Sequence, residues 1–283
     1  MTRPIPLLAL ALALAACDSA TPSALADADL DDAAVVLASA VAIDGGGVLE
    51  DAAAAAALSA APDGAARHPA DRPGCDVTRV YDGSGTWTAS VDCERGDPEG
   101  RFYAAFARTS TYRFLDADGQ PQEERNGAAT IEHAVLSGSS LFQAPRGTHE
   151  LTSLATDVTV DDVQSDLVTV NGTVQRAGRS ALRGRRGERT LDYELDATLT
   201  DVRGPRSAAR RWRTAVDGTV SGTLRATVTR TPAGGETSTV EIDRAFEITF
   251  PVAASGRRVA QILIGGRRYR ADIDSGAVEG LDA

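Results

Sequence analysis

The sequence predicts a mainly β fold: a large curled antiparallel sheet (half-barrel, barrel or sandwich) with one or two N-terminal helices. Three observations predict it. From Cys75 onward, apolar and polar residues alternate with period two over long stretches. Turn-forming clusters of Gly, Pro, Asp and Ser separate those stretches. Ahead of them, residues 25–60 are rich in alanine, and their apolar positions recur at three- and four-residue steps.

The helices come first. Leu25 to Ala42 carries Leu30, Ala33, Ala34, Leu37, Ala38 and Val41 on one helical face. Asp27, Asp29, Asp31 and Asp32 are expected in its first turns, where carboxylates favour the positive end of the helix dipole. Gly45-Gly46-Gly47 stops this helix. A second runs from about Val48 to Ala60 and ends at Pro62-Asp63-Gly64. Leucine and valine among the alanines predict packing on the main domain rather than a disordered tether.

The strands follow. Within Thr214–Arg230, Val216, Val220, Leu224, Ala226 and Val228 share one face, and Asp217, Thr219, Ser221, Thr223, Arg225 and Thr227 the other. After the turn Thr231-Pro232-Ala233-Gly234-Gly235, Val240, Ile242, Phe246, Ile248 and Phe250 point inward. Glu241, Asp243, Glu247 and Thr249 point outward, so the pair is a hairpin with one dry and one wet face. Similar strands are expected at Arg101–Leu115, Ala129–Ser137, Thr148–Val160, Leu167–Arg176 and Arg189–Asp201. A last hairpin joins Val259–Ile264 to Arg267–Asp274 around Gly265-Gly266. Roughly ten to twelve strands result, many longer than the usual five or six residues. Such a sheet must curl or fold over to hide its dry face. Inward glycines at 218 and 222 suit a sharply bent sheet. The helices are then placed to cap or plug the interior. A transmembrane barrel, apolar side outward, would need two aromatic girdles, and the chain has only two Trp, five Tyr and six Phe.

Cys75 and Cys93 flank two short strands about the turn at Asp82-Gly83-Ser84-Gly85. Folding the segment about Ser84 sets the two cysteines opposite one another, so a disulfide is expected; neighbouring ligands for a metal are lacking. Charge divides the chain. Residues 17–71 hold ten acids against Arg67 alone, whereas 72–283 hold thirty acids and twenty-seven arginines. The expected organisation is a signal segment at 1–16, an acidic alanine-rich tether with helices at 17–70, and the β domain at 71–283.

The chain opens with Arg3 and an apolar run from Ile5 to Ala16, too short to span a bilayer and laid out like a secretory signal peptide. Its end, Leu14-Ala15-Ala16-Cys17, resembles the lipobox of bacterial lipoproteins. The resemblance covers residues 1–17 and implies cleavage after Ala16, diacylglycerol on the Cys17 thiol and acylation of the new amine. The membrane is then a partner through that lipid. The alternative is an ordinary signal peptide with an incidental cysteine. Asp18 resembles the inner-membrane retention signal of enteric bacteria, a rule that does not extend to all groups; the outer membrane is the favoured destination.

No cofactor is expected. The chain has no lysine, which excludes a Walker A loop, a Schiff-base enzyme and a Ser-Lys hydrolase. Nucleophile-elbow, zincin and dinucleotide motifs are absent from it. A net charge of −11 and export disfavour nucleic acid. Asp116-Ala117-Asp118-Gly119 opens like a calcium loop, but the twelfth position is Gly127 where a bidentate Glu is needed, so a turn is expected. Asp272 and Asp274 share a strand face and read as a solvated edge. His68 lies in the linker; His133 and His149 lie in or near strands. Phe102, Phe106, Tyr112 and Phe114 share a face with Arg108 and Ser110, which reads as core or as a ligand groove. Arg183, Arg185, Arg186, Arg210 and Arg211 belong to arginine clusters in connections. They are candidate anion-binding residues, because guanidinium matches phosphate bidentately, or else solvated loop charge.

The expected architecture is similar to that of the half-barrel lipoprotein carriers of bacterial envelopes, though it shares no motif with them. That likeness implies an apolar or amphiphilic ligand held in the curled sheet. The alternative is a structural or adhesive envelope module with a filled core. Third is a hydrolase that joins a histidine to a nucleophile and a carboxylate in a polar cleft.

Overall fold

Period-two alternation becomes strand after strand in the computed structural model, which describes residues 22–41, 47–60, 74–145, 147–184, 187–206, 212, 215–250, 259–272 and 277–281. The signal segment, the lipobox and the stop at Pro62-Asp63-Gly64 lie outside the described residues. Two helices, α1 (Pro22–Val41) and α2 (Val48–Leu58), precede β1 (Cys75–Tyr81), β2 (Thr86–Gly96) and β3 (Tyr103–Leu115). A stub, β4 (Pro121–Gln122), leads to β5 (Thr130–Ala144), β6 (Gly147–Asp161), β7 (Leu167–Gly184) and β8 (Gly187–Pro205). Then come β9 (Asp217–Pro232), β10 (Ser238–Phe250), β11 (Val259–Ile264), β12 (Arg267–Asp272) and β13 (Val278–Leu281).

All strands form one antiparallel sheet in sequence order, with β4 off the path beside β3. The sheet is not closed: β1 and β13 are its edges. Of the three architectures the sequence allows, the structure takes the open, curled one. The dry face is the one the alternation predicts. Val216, Val220, Leu224, Ala226, Val228, Ile242, Phe246, Ile248 and Phe250 are all buried, while Glu241, Asp243 and Glu247 are exposed.

Three bulges, in β5, β6 and β8, bend the sheet. Register shifts fall at Thr109/Ser110, Leu151/Ser153, Val170/Gly172 and Thr200/Arg203. The last two mark one bulge of β8, seen from β7 and from β9; each bulge adds a residue to its strand and reverses which parity faces the core. Leu136 is the extra residue opposite Thr109 and Ser110 and is turned out to solvent. In β8 the buried positions pass from Leu195, Ala197 and Leu199 to Val202 and Gly204. The β8 bulge is tied to β7: the Asp201 N–H donates to Asn171 Oδ1 at 2.7 Å, which helps hold Asp201 at a φ of 50°. At Gly222 any Cβ would overlap the Asp196 carbonyl oxygen on β8, so the close approach of β8 and β9 requires glycine there.

The helices are buried more completely than an amphipathic pattern predicts. In α2, Val48, Leu49, Asp51, Ala52, Ala53, Ala55, Ala56 and Leu58 are buried. In α1, from residue 32 on, only Val35 and Ser39 are exposed. A helix apolar almost all round belongs inside a protein, and here the sheet wraps both. Small alanine side chains allow that close fit.

Three acidic residues fasten them. Asp51 of α2 accepts from Arg108 Nη2 of β3 at 2.7 Å and from Arg176 Nη1 of β7 at 3.2 Å. The carboxylate is 4 % exposed and the two guanidinium side chains 11 % and 2 %. Asp32 of α1 likewise bridges Arg189 of β8, at 3.2 Å, and Arg230 of β9. Next to it, Asp31 accepts from the Tyr269 hydroxyl of β12 at 3.0 Å. The dipole role expected for the early acids is corrected accordingly. Because α1 starts at Pro22, its first turn holds no acid, and Asp31 and Asp32 reach across to the sheet instead.

Candidate functional site

Cys75 and Cys93 stand opposite each other in the β1–β2 register, with Cα atoms 4.0 Å apart, and form the disulfide. The turn between them is organised by Asp82, whose carboxylate accepts from the N–H groups of Ser84 and Thr86 and from the Ser84 hydroxyl. Those bonds, the Ser84 hydroxyl first, lower its pKa to about 2. Asp116 plays the same part in the β3–β4 turn. Its Oδ1 accepts from the N–H groups of Asp118 and Gln120, so the calcium-like sequence is a turn. Among the described residues no cluster of three or more His, Cys, Asp or Glu is placed to hold a metal.

The interior holds a contiguous apolar core that includes both helices and most of the sheet. Between Ala38, Val41 and Leu49 on one side and Ile248, Phe250 and Ile262 on the other, the space left is about 10 Å³. A single water needs about that much. Part of the aromatic stripe belongs to this core: Tyr112 stacks on Trp87 at 6.1 Å and meets Phe114 edge-on at 5.5 Å. Phe106 is half-buried, and Phe102 is exposed.

The histidines are kept apart. His133 is buried opposite Tyr112 and Val158, whereas His149 pairs with Phe142, nine residues further along β5; at ~3.3 Å per residue the gap is roughly 30 Å. His68 lies outside the described residues. His149 Nδ1 is 2.7 Å from Ser180 Oγ on β7. Burial pushes the imidazole pKa below its ordinary value, and the charge of Arg176 adds to this. A serine hydrolase needs a carboxylate to stabilise the imidazolium, and His149 has a cation acting on it instead. Ser180 and His149 form a cross-strand hydrogen bond.

Of the candidate anion-binding residues, Arg183 is exposed near the end of β7 and pairs with Glu188 at 3.3 Å. Arg185, Arg186, Arg210 and Arg211 lie outside the described residues, as does Asp274. The arginines that the structure places at special sites are others: Arg108, Arg176, Arg189 and Arg230, all on the core side. A signal for them exists in the sequence, since an arginine at a dry-face position needs a buried anion, and Asp51 lies in a run of alanines.

Two shallow grooves cross the outer face. One runs over β6–β10 and is lined by Glu150, Arg179, Asp192, Glu194, Arg225 and Asp243. Its charges pair across strands, as in Arg179–Asp192 at 3.4 Å and Arg225–Asp243 at 3.9 Å. The other, over β1–β6, is lined by Asp76, Thr78, Ser90, Asp92, Thr109, Ser137 and Ser139. Both are open and mix polar with apolar surface. No described helix is long and apolar enough to cross a membrane. Comparison with protein-family models, curated proteins and solved structures finds nothing that matches the chain.

Proposed function

We propose that this chain is a lipid-anchored protein of the bacterial cell envelope that works as a structural or adhesive module through its outer surface. The anchor is the lipid expected on Cys17, and the outer membrane is its proposed destination. One observation favours the module over a carrier: α1 and α2 occupy the space that a half-barrel carrier leaves for its ligand, and about 10 Å³ separates them from the sheet at Phe250. An acyl chain enters only if a helix leaves, and Asp51 and Asp32 tie each helix to two strands. The polar outer face, with its serines, threonines and paired charges, is the surface left for partners.

The test has two arms. Intact mass of the protein recovered from its native membranes should show a polypeptide beginning at Cys17 with three acyl chains. Titration of a fluorescent fatty acid into the soluble form, residues 18–283, should give no saturable signal. Saturable one-to-one binding would restore the carrier reading, and a mass without acyl groups would remove the anchor.

A further inference from the structure

In a sequential meander, alternate turns lie at the same end of the sheet. The β2–β3, β5–β6, β7–β8 and β9–β10 connections therefore share one rim. Near that rim, on the face that elsewhere carries the core, stand three large apolar side chains that no described residue covers. Phe102 is 64 % exposed, Phe142 53 % and Leu182 57 %. They stand along one stretch of the rim, beside β3, on β5 and on β7. Phe142 lies opposite Ala104, two residues from Phe102, and Leu182 lies opposite Gly147 on the strand next to Phe142.

Helix α1 is oriented toward this rim. Asp32 meets Arg189 and Arg230, close to the β7–β8 and β9–β10 turns. Ala38 and Val41, further along, lie against Ile248 and Phe250 at the other end of β10. The amino end of α1 is thus directed out past the rim, and Pro22 stands about 15 Å beyond Asp32 at 1.5 Å per residue. Cys17 is five residues before Pro22 in the sequence. Fully extended, five residues span at most about 18 Å.

We propose that the rim bearing Phe102, Phe142 and Leu182 docks on the lipid bilayer, with these side chains set into its interfacial layer. The inference rests on the lipid-anchor reading. A tether that short leaves the amino end of α1 close to the membrane. The end of the sheet from which α1 emerges then faces the lipid, and the apolar patch lies at that end. A bilayer surface is the occupant that both the tether and the patch require.

The test uses the lipidated protein, residues 17–283, in vesicles of phosphatidylethanolamine and phosphatidylglycerol with brominated acyl chains. Bromine quenches tryptophan only within the bilayer. In Phe142→Trp and Leu182→Trp the added fluorescence should fall at least twofold relative to unbrominated vesicles. In Val80→Trp, exposed on the opposite face of the sheet, it should not change. Hydrogen exchange on the unmodified protein gives a second reading, with residues 101–104 and 141–144 exchanging more slowly on vesicles than in detergent-free solution of the 18–283 form. Vesicle-bound protein with no quenching at 142 and 182 and no added protection overturns the docking and leaves the anchor standing. Quenching that includes position 80 also overturns it. Native protein without acyl groups overturns the reading beneath it.

Discussion

Asp51 concentrates the energetics of the fold in one side chain. It is the shared anion of two arginines that are themselves almost wholly buried. Removing one partner of a buried ion pair leaves an uncompensated charge in a poorly solvated site and costs about 3–5 kcal/mol. Asp51→Ala should therefore destabilise the protein by about that amount in equilibrium denaturation. Replacing Asp51, Arg108 and Arg176 together with apolar residues of similar volume should cost far less, since the desolvation of three charges disappears with them. His149 gives a second prediction at this scale. Its pKa in the folded protein is lowered from 6.5 by burial, then by Arg176. The unfolded chain therefore binds the proton more readily, and stability is full above about pH 6.5 and declines as pH falls through the window below it. In His149→Gln that part of the pH dependence should vanish from a stability–pH profile.

At the scale of elements, the disulfide joins β1 to β2 across a sequence separation of 18. Closing a loop of that size contributes about 3 kcal/mol in the chain-entropy model. The Cys75→Ser, Cys93→Ser double variant should lose about that much in denaturant midpoint experiments. Gly222→Ala should cost about 1–3 kcal/mol, because the new methyl group has the backbone of β8 in its place. Much at this scale is legible in the sequence. The turn at Ser84, the β9–β10 hairpin with its two faces, β11, and the core positions of α1 follow from period and turn chemistry alone. Where reading failed, a bulge or a lost core face is the cause. The expected strand ending at Ser137 runs on to Ala144 as β5, because the extra residue Leu136 breaks the alternation there. The expected strand ending at Arg176 runs on to Gly184 as β7, because Gly178 and Ser180 carry no apolar signal near the rim. The short strands β4 and β13 hold too few residues for any period to show.

For the whole molecule, the helices matter more than their length suggests. A long antiparallel sheet with one dry face needs something to cover it, and the chain supplies its own cover in two alanine-rich segments placed before the first strand. Their identity as helices is readable from spacing. Their place as a cap or plug follows from the dry face; which strands each one meets does not, because it depends on pairings such as Asp51 with Arg108 and Arg176, and Asp32 with Arg230, that join residues 57 to 198 positions apart. The candidate site is less legible still. Arginine clusters in connections draw the eye, whereas the arginines that organise the structure sit singly on the dry face among aromatic and aliphatic neighbours.

On the proposed function, the curled sheet is filled by the protein's own helices and carries no small guest. Native mass spectrometry of residues 18–283, produced in a periplasm, tests it most directly. The predicted spectrum shows the bare polypeptide, two protons lighter for the Cys75–Cys93 bond. A retained adduct with the mass of a lipid, lost only on unfolding, would contradict it.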